Sequence, residues 1–135
     1  ILFSVALTKK YSKDGIYSNA LMPGLILTPI FKHLSKEEIE LFGFQMMDNG
    51  EPAIKGTKTV EEGAATIVYA SLAPELENCG GKYLNDCDIA PILETEKLEK
   101  AIIGKEYIHG VTQYALDEEL AEKLWNLSEE AIKTN

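Results

Sequence analysis

The order of helical and strand-like segments is the feature that most limits the folds open to this chain. Two short apolar segments, Ile16 to Met22 and Gly80 to Leu84, are predicted to be strands. Helical segments are predicted before, between and after them. Helices that alternate with short buried strands are typical of an α/β layered domain with a parallel sheet. The expected fold class is therefore α/β.

Glycine and capping residues indicate where the first helices end and begin. Residues 1 to about 13 are predicted to be helical, and Gly15 is expected to stop this helix in a left-handed conformation. A second helix is predicted over 31–44. A capping box between Ser35 and Glu38 is expected to restart it, because each residue can bond the backbone N–H of the other.

Similar evidence places the later helices. Residues 46–58 contain Asp-Asn-Gly and a proline, which predicts a loop. A second capping box, between Thr59 and Glu62, is expected to begin an apolar helix that runs to about Ala73. Residues 88–114 are predicted to be irregular, with one short helix near 94–103. Asp117 is expected to cap a final amphipathic helix.

Two strands are too few for a parallel sheet that is covered on both faces. The chain also opens on the apolar residues Ile1 to Leu7 without a capping residue, which suggests that it begins inside a helix. The expectation from both observations is that the N-terminal half of the domain is missing. Residues 1–135 would then be the C-terminal portion of one domain with a doubly wound, Rossmann-like sheet.

Charge and composition exclude several classes of partner. The formal net charge is −9 over 135 residues, which argues against binding to nucleic acid or to anionic lipid. The longest apolar stretches are well short of the ~20 residues that a membrane span needs. Cys79 and Cys87 are the only cysteines. They favour a reducing, intracellular compartment, although one disulfide between them remains an alternative.

The loop after the first predicted strand, from Pro23 to Thr28, is the expected place for a ligand. In open α/β sheets ligands bind beyond the carboxyl ends of the strands. Taken alone, Pro23-Gly24 is equally compatible with a plain turn that ends the strand. Thr28 before Pro29 is by itself best explained as a helix cap.

Four segments in order resemble the short-chain dehydrogenase/reductase family. The segment Asn19 to Thr28 resembles its strand followed by Pro-Gly, with a threonine four residues after the glycine. Lys58 to Thr66 is similar to the helix after its substrate-binding loop, Gly80 to Cys87 to its last sheet strand, and Ala121 to Ser128 to its C-terminal helix. The branch that it resembles most contains retinol dehydrogenases and WW domain-containing oxidoreductases.

The resemblance implies an oxidoreductase that uses NAD or NADP. It implies that Pro23, Gly24, Ile26 and Thr28 bind the cofactor, with the backbone of Ile26 and the hydroxyl of Thr28 holding the nicotinamide carboxamide. Gly24 would let the backbone approach the flat ring closely. The family's catalytic Tyr-x-x-x-Lys and its glycine-rich turn do not occur in the sequence. No catalytic residue is therefore assigned, and the pair is expected upstream of Ile1.

The resemblance also implies an apolar alcohol or carbonyl substrate, such as a retinoid, a steroid or a lipid aldehyde. Phe31, His33 and Leu34 fall where the family's mobile substrate loop begins, although Phe31 and Leu34 are equally well explained as core residues. His33 and His109 are too isolated for a metal site and are expected on the solvated surface.

Two hypotheses on function follow. In the first, the intact protein is an NAD(P)-dependent oxidoreductase and this chain alone is inactive. In the second, the chain is a catalytically inactive segment that acts as an interaction module. The family resemblance leaves open whether the protein forms a homo-oligomer.

Overall fold

The computed structural model describes residues 1–26, 33–35, 37–38, 45–46, 52–53, 57–94 and 109–133. Its helices are α1 (Leu2–Tyr11), α2 (Val60–Leu72) and α3 (Glu118–Lys133). Its strands are β1 (Ala20–Met22), β2 (Gln45–Met46), β3 (Pro52–Ala53), β4 (Tyr83–Asn85), β5 (Asp88–Ile89), β6 (Ile92–Leu93) and β7 (Val111–Thr112). Short 3-10 helices cover Ser12–Asp14, Pro74–Leu76 and Gln113–Leu116.

The two predicted strands lie side by side, which confirms the α/β class and its parallel pairing. β1 pairs with β4 in parallel, and the register aligns Ala20 with Tyr83 and Met22 with Asn85. β5 returns antiparallel along the other edge of β4, so that β4 is the central strand of three. The carboxyl ends of β1 and β4 therefore meet at one edge of this sheet.

Helix α2 connects β1 and β4 in space, because it packs against both strands. Its first turn is fixed by the predicted capping box. The Glu62 N–H donates to Oγ1 of Thr59 over 3.2 Å, and the Thr59 N–H donates to a Glu62 carboxylate oxygen over 2.8 Å. Thr66 of α2 and Leu84 of β4 are fully buried. Their burial removes apolar surface from water on this face of the sheet, at about 25 cal/mol per Å².

Helices α1 and α3 form a second layer of packing. Val5 and Ala6 of α1 are buried with Ala121 of α3, and Leu2, Leu116 and Trp125 surround them. The rings of Phe3 and Trp125 stack with centroids 4.8 Å apart. Asp117 caps α3 as predicted, since its carboxylate accepts the Leu120 N–H over 2.8 Å.

Helix α1 is also tied to the segment that leads into β1. Oγ1 of Thr8 donates to the Ser18 carbonyl over 3.0 Å and accepts the Ser18 N–H over 2.9 Å. Gly80 lies against this pair, where a Cβ atom would stand 2.5 Å from Oγ1 of Thr8. The predicted left-handed stop after α1 is confirmed at Gly15, whose φ is +77°.

Several boundaries differ from the sequence-based predictions. The first strand begins at Ala20 rather than Ile16, and it ends at the exposed Met22. Residues 46–58, predicted as loop, contribute to the β2–β3 pair. Residues 88–114, predicted as irregular, contain β5, β6 and β7. These strands have only two residues each, so their existence depends on partners that no local pattern reveals.

The capping box at Ser35 is confirmed, because Ser35 and Glu38 exchange backbone-to-side-chain hydrogen bonds of 2.8 and 3.2 Å. Leu34 and Ser35 are not helical, so the helix predicted over 31–44 is not continuous through them. Of the segment 31–44, only residues 33–35 and 37–38 are described, and the other residues lie outside the described part of the chain. So does the short helix predicted near 94–103, except for Glu94, which is not helical.

Candidate functional site

The candidate site lies at the carboxyl edge of the β1–β4 pair, where parallel sheets usually bind their ligands. The loop that follows β1, here called the Pro23–Ile26 loop, contains three of the four predicted cofactor-binding residues. The turn that follows β4 lies beside it, since β1 and β4 are paired along their whole length.

The turn between β4 and β5 consists of Asp86 and Cys87. Both have positive φ, +52° and +58°, as the two central residues of a type I′ hairpin turn require. Sγ of Cys87 lies 3.9 Å from Oγ1 of the buried Thr66, so the turn is anchored to α2. The Cys87 and Cys79 thiols are both free in the structure, which contains no disulfide between them.

Lys58, which precedes α2, is bonded to the Pro23–Ile26 loop through the backbone. Its N–H donates to the Leu25 carbonyl over 2.9 Å, and it forms a parallel β-bridge with Ile26. The side chain of Ile26 in turn lies against Gly63. A Cβ atom at Gly63 would stand 2.5 Å from Cγ1 of Ile26. The start of α2 therefore supports the loop from two sides.

Gly24 is required by a contact within the chain. Its φ is +96°, and a Cβ atom there would stand 2.7 Å from Cδ of Lys58. The expectation from sequence was that this glycine lets the backbone approach a nicotinamide ring. In the structure the aliphatic stem of Lys58 lies against this glycine, and the approach to a nicotinamide ring stays a prediction.

The carboxylate of Asp86 has two cationic or ionisable partners. Oδ1 pairs with Nζ of Lys58, and Oδ2 lies 3.4 Å from Nδ1 of His109, a contact that is ionic only when the imidazole is protonated. The hydrogen bond from Lys58 is the main cause that holds the pKa of Asp86 below its usual value, and it outweighs the opposing effect of burial. His109 is exposed, as predicted, and it also contacts Asp86, which the sequence did not indicate.

The backbone of Ile26 fits the role implied by the family resemblance. The bridge to Lys58 uses the carbonyl of Leu25, and within the described part of the chain no hydrogen bond uses the N–H or the C=O of Ile26. Neighbouring residues of an extended segment point these groups in opposite directions, so those of Ile26 face away from Lys58. A carboxamide offers both an acceptor and donors, which one N–H and one C=O can match.

The other predicted site residues are placed as follows. Thr28 and Phe31 lie outside the described residues. His33 is exposed and Leu34 is half-buried. None of the hydrogen bonds or ion pairs recorded for the described chain joins His33 or Leu34 to the Pro23–Ile26 loop.

Two other classes of site are absent from the part of the chain that the structure describes. No group of three or more His, Cys, Asp or Glu side chains there is arranged to hold a metal ion. Among the described helices, none is both long and apolar enough to cross a membrane.

The chain is similar in sequence to several named proteins. The chain is 32% identical over 133 residues to a probable oxidoreductase of Streptomyces antibioticus, which covers 98% of this chain and 42% of that protein. It is 36% identical over 120 residues to the short-chain dehydrogenase/reductase prx1 of Penicillium rubens, covering 88% of this chain and 31% of that protein. A WW domain-containing oxidoreductase of Danio rerio matches 88 residues at 42% identity, covering 64% of this chain and 19% of that protein.

The chain is thus homologous to short-chain dehydrogenases/reductases over most of its length, which confirms the family resemblance. It spans about two fifths or less of the length of these relatives. No family model matches the sequence. No solved structure matches it either.

Lys58, Asp86 and His109 are not among the site residues predicted from the sequence. Two positional clues were present. Asp86 lies two residues after the second predicted strand, at the edge where ligands bind. Lys58 directly precedes the capping residue of a helix. Their contact depends on the parallel pairing of β1 and β4, which brings distant parts of the sequence together.

Proposed function

We propose that this chain contributes the nicotinamide side of the active site of an NAD(P)-dependent oxidoreductase. The observation that carries the proposal is the alignment of 98% of the chain with a protein named as an oxidoreductase, at 32% identity. The position of the Pro23–Ile26 loop supports it, because this loop follows a parallel strand at the edge where such folds bind ligands.

The chain's own part in the reaction is binding and orientation. The N–H and C=O of Ile26 would hold the carboxamide, and Thr28 would add a hydroxyl. When bound, the cofactor supplies or accepts the hydride. Holding the carboxamide decides which face of the ring meets the substrate, and orientation of this kind can account for several kcal/mol of a reaction barrier. Either NAD or NADP satisfies these contacts.

The proposed substrate is an apolar alcohol or carbonyl compound, for which a retinoid, a steroid or a lipid aldehyde would serve. Met22 and Leu25, on either side of Pro23-Gly24, are large apolar residues that remain exposed at the site edge. Exposed apolar surface beside a ligand site favours an apolar ligand. Phe31, His33 and Leu34 are proposed to line the same substrate region.

Thr28 offers the direct test, in the protein expressed from its complete gene. We expect Thr28→Ala to raise the cofactor KM about tenfold, which corresponds to the loss of ~1.4 kcal/mol of binding. Thr28→Ser keeps the hydroxyl and is the matched control. NAD(P)H oxidation with a panel of apolar aldehydes, and cofactor fluorescence, provide the measurements.

Residues 1–135 by themselves are a further control in that experiment. They contain no Tyr-x-x-x-Lys, so the proton transfer that this pair performs in the family has no donor among them. We expect no NAD(P)H turnover from this chain alone. Absence of cofactor binding by the full-length protein would contradict the proposal and would favour the interaction-module hypothesis.

A further inference from the structure

Three separate segments converge on the carboxylate of Asp86. Lys58 comes from the segment before α2, Asp86 from the β4–β5 turn, and His109 from the segment before β7. We call these three residues the Asp86 clamp. The two carboxylate oxygens are divided between the partners, with Oδ1 on Lys58 and Oδ2 on His109.

The Asp86 clamp differs from an ordinary surface ion pair in the setting of its lysine. The Lys58 side chain is only 24% exposed, against 36% for Asp86 and 40% for His109. The methylene groups of Lys58 cover the Cα of Gly24, which has no side chain to displace them. A lysine can cover apolar surface with its stem while its ammonium group remains paired at the tip.

Lys58 therefore contacts the Pro23–Ile26 loop twice. Its N–H bonds the carbonyl of Leu25, and its side chain packs on Gly24. Asp86 fixes the end of that side chain, and its own position is fixed by the type I′ turn after β4. The loop is consequently connected to the central strand of the sheet through Lys58 and Asp86, in addition to its direct connection to β1.

We propose that Lys58, held by Asp86, is a positioning residue that fixes the Pro23–Ile26 loop for the nicotinamide cofactor. The inference rests on the proposed function. Lys58 acts through the loop, which it holds in the conformation that turns the backbone groups of Ile26 away from Lys58 itself. His109 completes the set by engaging the second oxygen of Asp86.

The first arm of the test does not depend on a cofactor. Amide hydrogen exchange of residues 23–26 is measured in the full-length protein without ligand, for wild type, Lys58→Met and Asp86→Asn. Met keeps most of the aliphatic stem and removes the charge, and Asn keeps the shape of the carboxylate. Both variants are expected to raise the exchange rate of the loop about fivefold, the scale of a partly exposed ion pair.

Lys82→Met is the matched control for that arm. Lys82 is an exposed lysine just before β4, at the opposite end of the strand from the clamp. Its replacement is expected to leave exchange at residues 23–26 unchanged. Lys58→Arg is the conservative variant, because it keeps the charge and a long aliphatic stem. It should retain most of the protection of the loop, and it keeps the test usable if Lys58→Met destabilises the whole protein.

The second arm measures kinetics. Lys58→Met and Asp86→Asn should raise the cofactor KM about fivefold and change kcat less, because the loop positions the ring without taking part in bond making. The double variant should be no worse than the poorer single variant, since both changes remove one contact. Lys58→Arg should recover the KM.

Two results would overturn the inference in distinguishable ways. If the wild type binds cofactor but exchange and KM are unchanged in both variants, the clamp does not position the loop and the proposed function stands. If loop exchange rises in the variants but the wild type binds no nicotinamide cofactor, the proposed function fails, and the cofactor role of Lys58 fails with it.

Discussion

The side-chain oxygen of Asn19 accepts a hydrogen bond from the backbone N–H of Lys82 over 2.9 Å. Its amide nitrogen donates at the same time to the carbonyl of Cys79 over 3.0 Å. Asn19 immediately precedes β1 and Lys82 immediately precedes β4. One side chain therefore aligns the entrances of two parallel strands, and with them the loops at their far ends.

Asn19→Asp should destabilise the protein by about 1–3 kcal/mol, because the carboxylate keeps the acceptor but faces the Cys79 carbonyl with no donor. Urea unfolding is the measurement. Asn126→Asp is the matched control, since Asn126 is exposed on α3 and its change should cost less than about 0.5 kcal/mol. Equal effects of the two substitutions would mean that Asn19 does not set the register.

Gly63→Ala should destabilise the protein although alanine is the better helix former. Helix propensity alone predicts a gain of about 1 kcal/mol. The new methyl group would stand 2.5 Å from Cγ1 of Ile26, and overpacking of this kind costs about 1–3 kcal/mol. Because Ile26 belongs to the Pro23–Ile26 loop, we also expect a higher cofactor KM.

The double variant Gly63→Ala/Ile26→Ala provides the control for that prediction. Ile26→Ala removes Cγ1, Cγ2 and Cδ1 and leaves only Cβ of residue 26, which lies 3.8 Å away at ordinary contact distance. In this background Gly63→Ala should become neutral or stabilising in thermal unfolding. A cost that persists would place the clash elsewhere.

The ion pair of Asp86 predicts how stability depends on pH. Its pKa is lowered on folding, so its stabilising contribution is present above the unfolded value of 3.8 and is lost as the pH falls through the lower folded value. The stability difference between wild type and Asp86→Asn should therefore be smaller at pH 3 than at pH 7, because it shrinks below about pH 4. Chemical denaturation at pH 7 and pH 3 checks it, and a difference that grows in acid would contradict the assigned direction.

Local features of this fold and the parallel pairing of its two longer strands were predictable, but the short later strands were not. The capping boxes at Ser35 and Thr59 each depend on two residues that are only three positions apart, so both residues of each box can be read directly from the sequence. β5, β6 and β7 have two residues each, too few for a periodic pattern, and they exist because partner strands are present. The antiparallel return after β4 depends on positive φ at Cys87, a residue type that rarely adopts it.

The candidate site was predictable in part for the same reason. Pro23, Gly24 and Ile26 are consecutive or nearly so, and their place after a strand indicated a ligand loop. The contacts that hold this loop come from Lys58 and Gly63, which are remote in sequence. Charge patterns place Lys58, Asp86 and His109 on the surface, and only the pairing of β1 with β4 shows that they meet.

The packing of α1 against α3 has a consequence for the order in which the chain can fold. α3 is made after α1, so during synthesis Val5 and Ala6 lack their contact with Ala121 until that residue emerges. Contacts between such distant segments form slowly, because a long loop must close first. A molecule shortened before α3 would therefore expose apolar side chains of α1. Chaperones and proteases recognise exposed apolar surface of this kind.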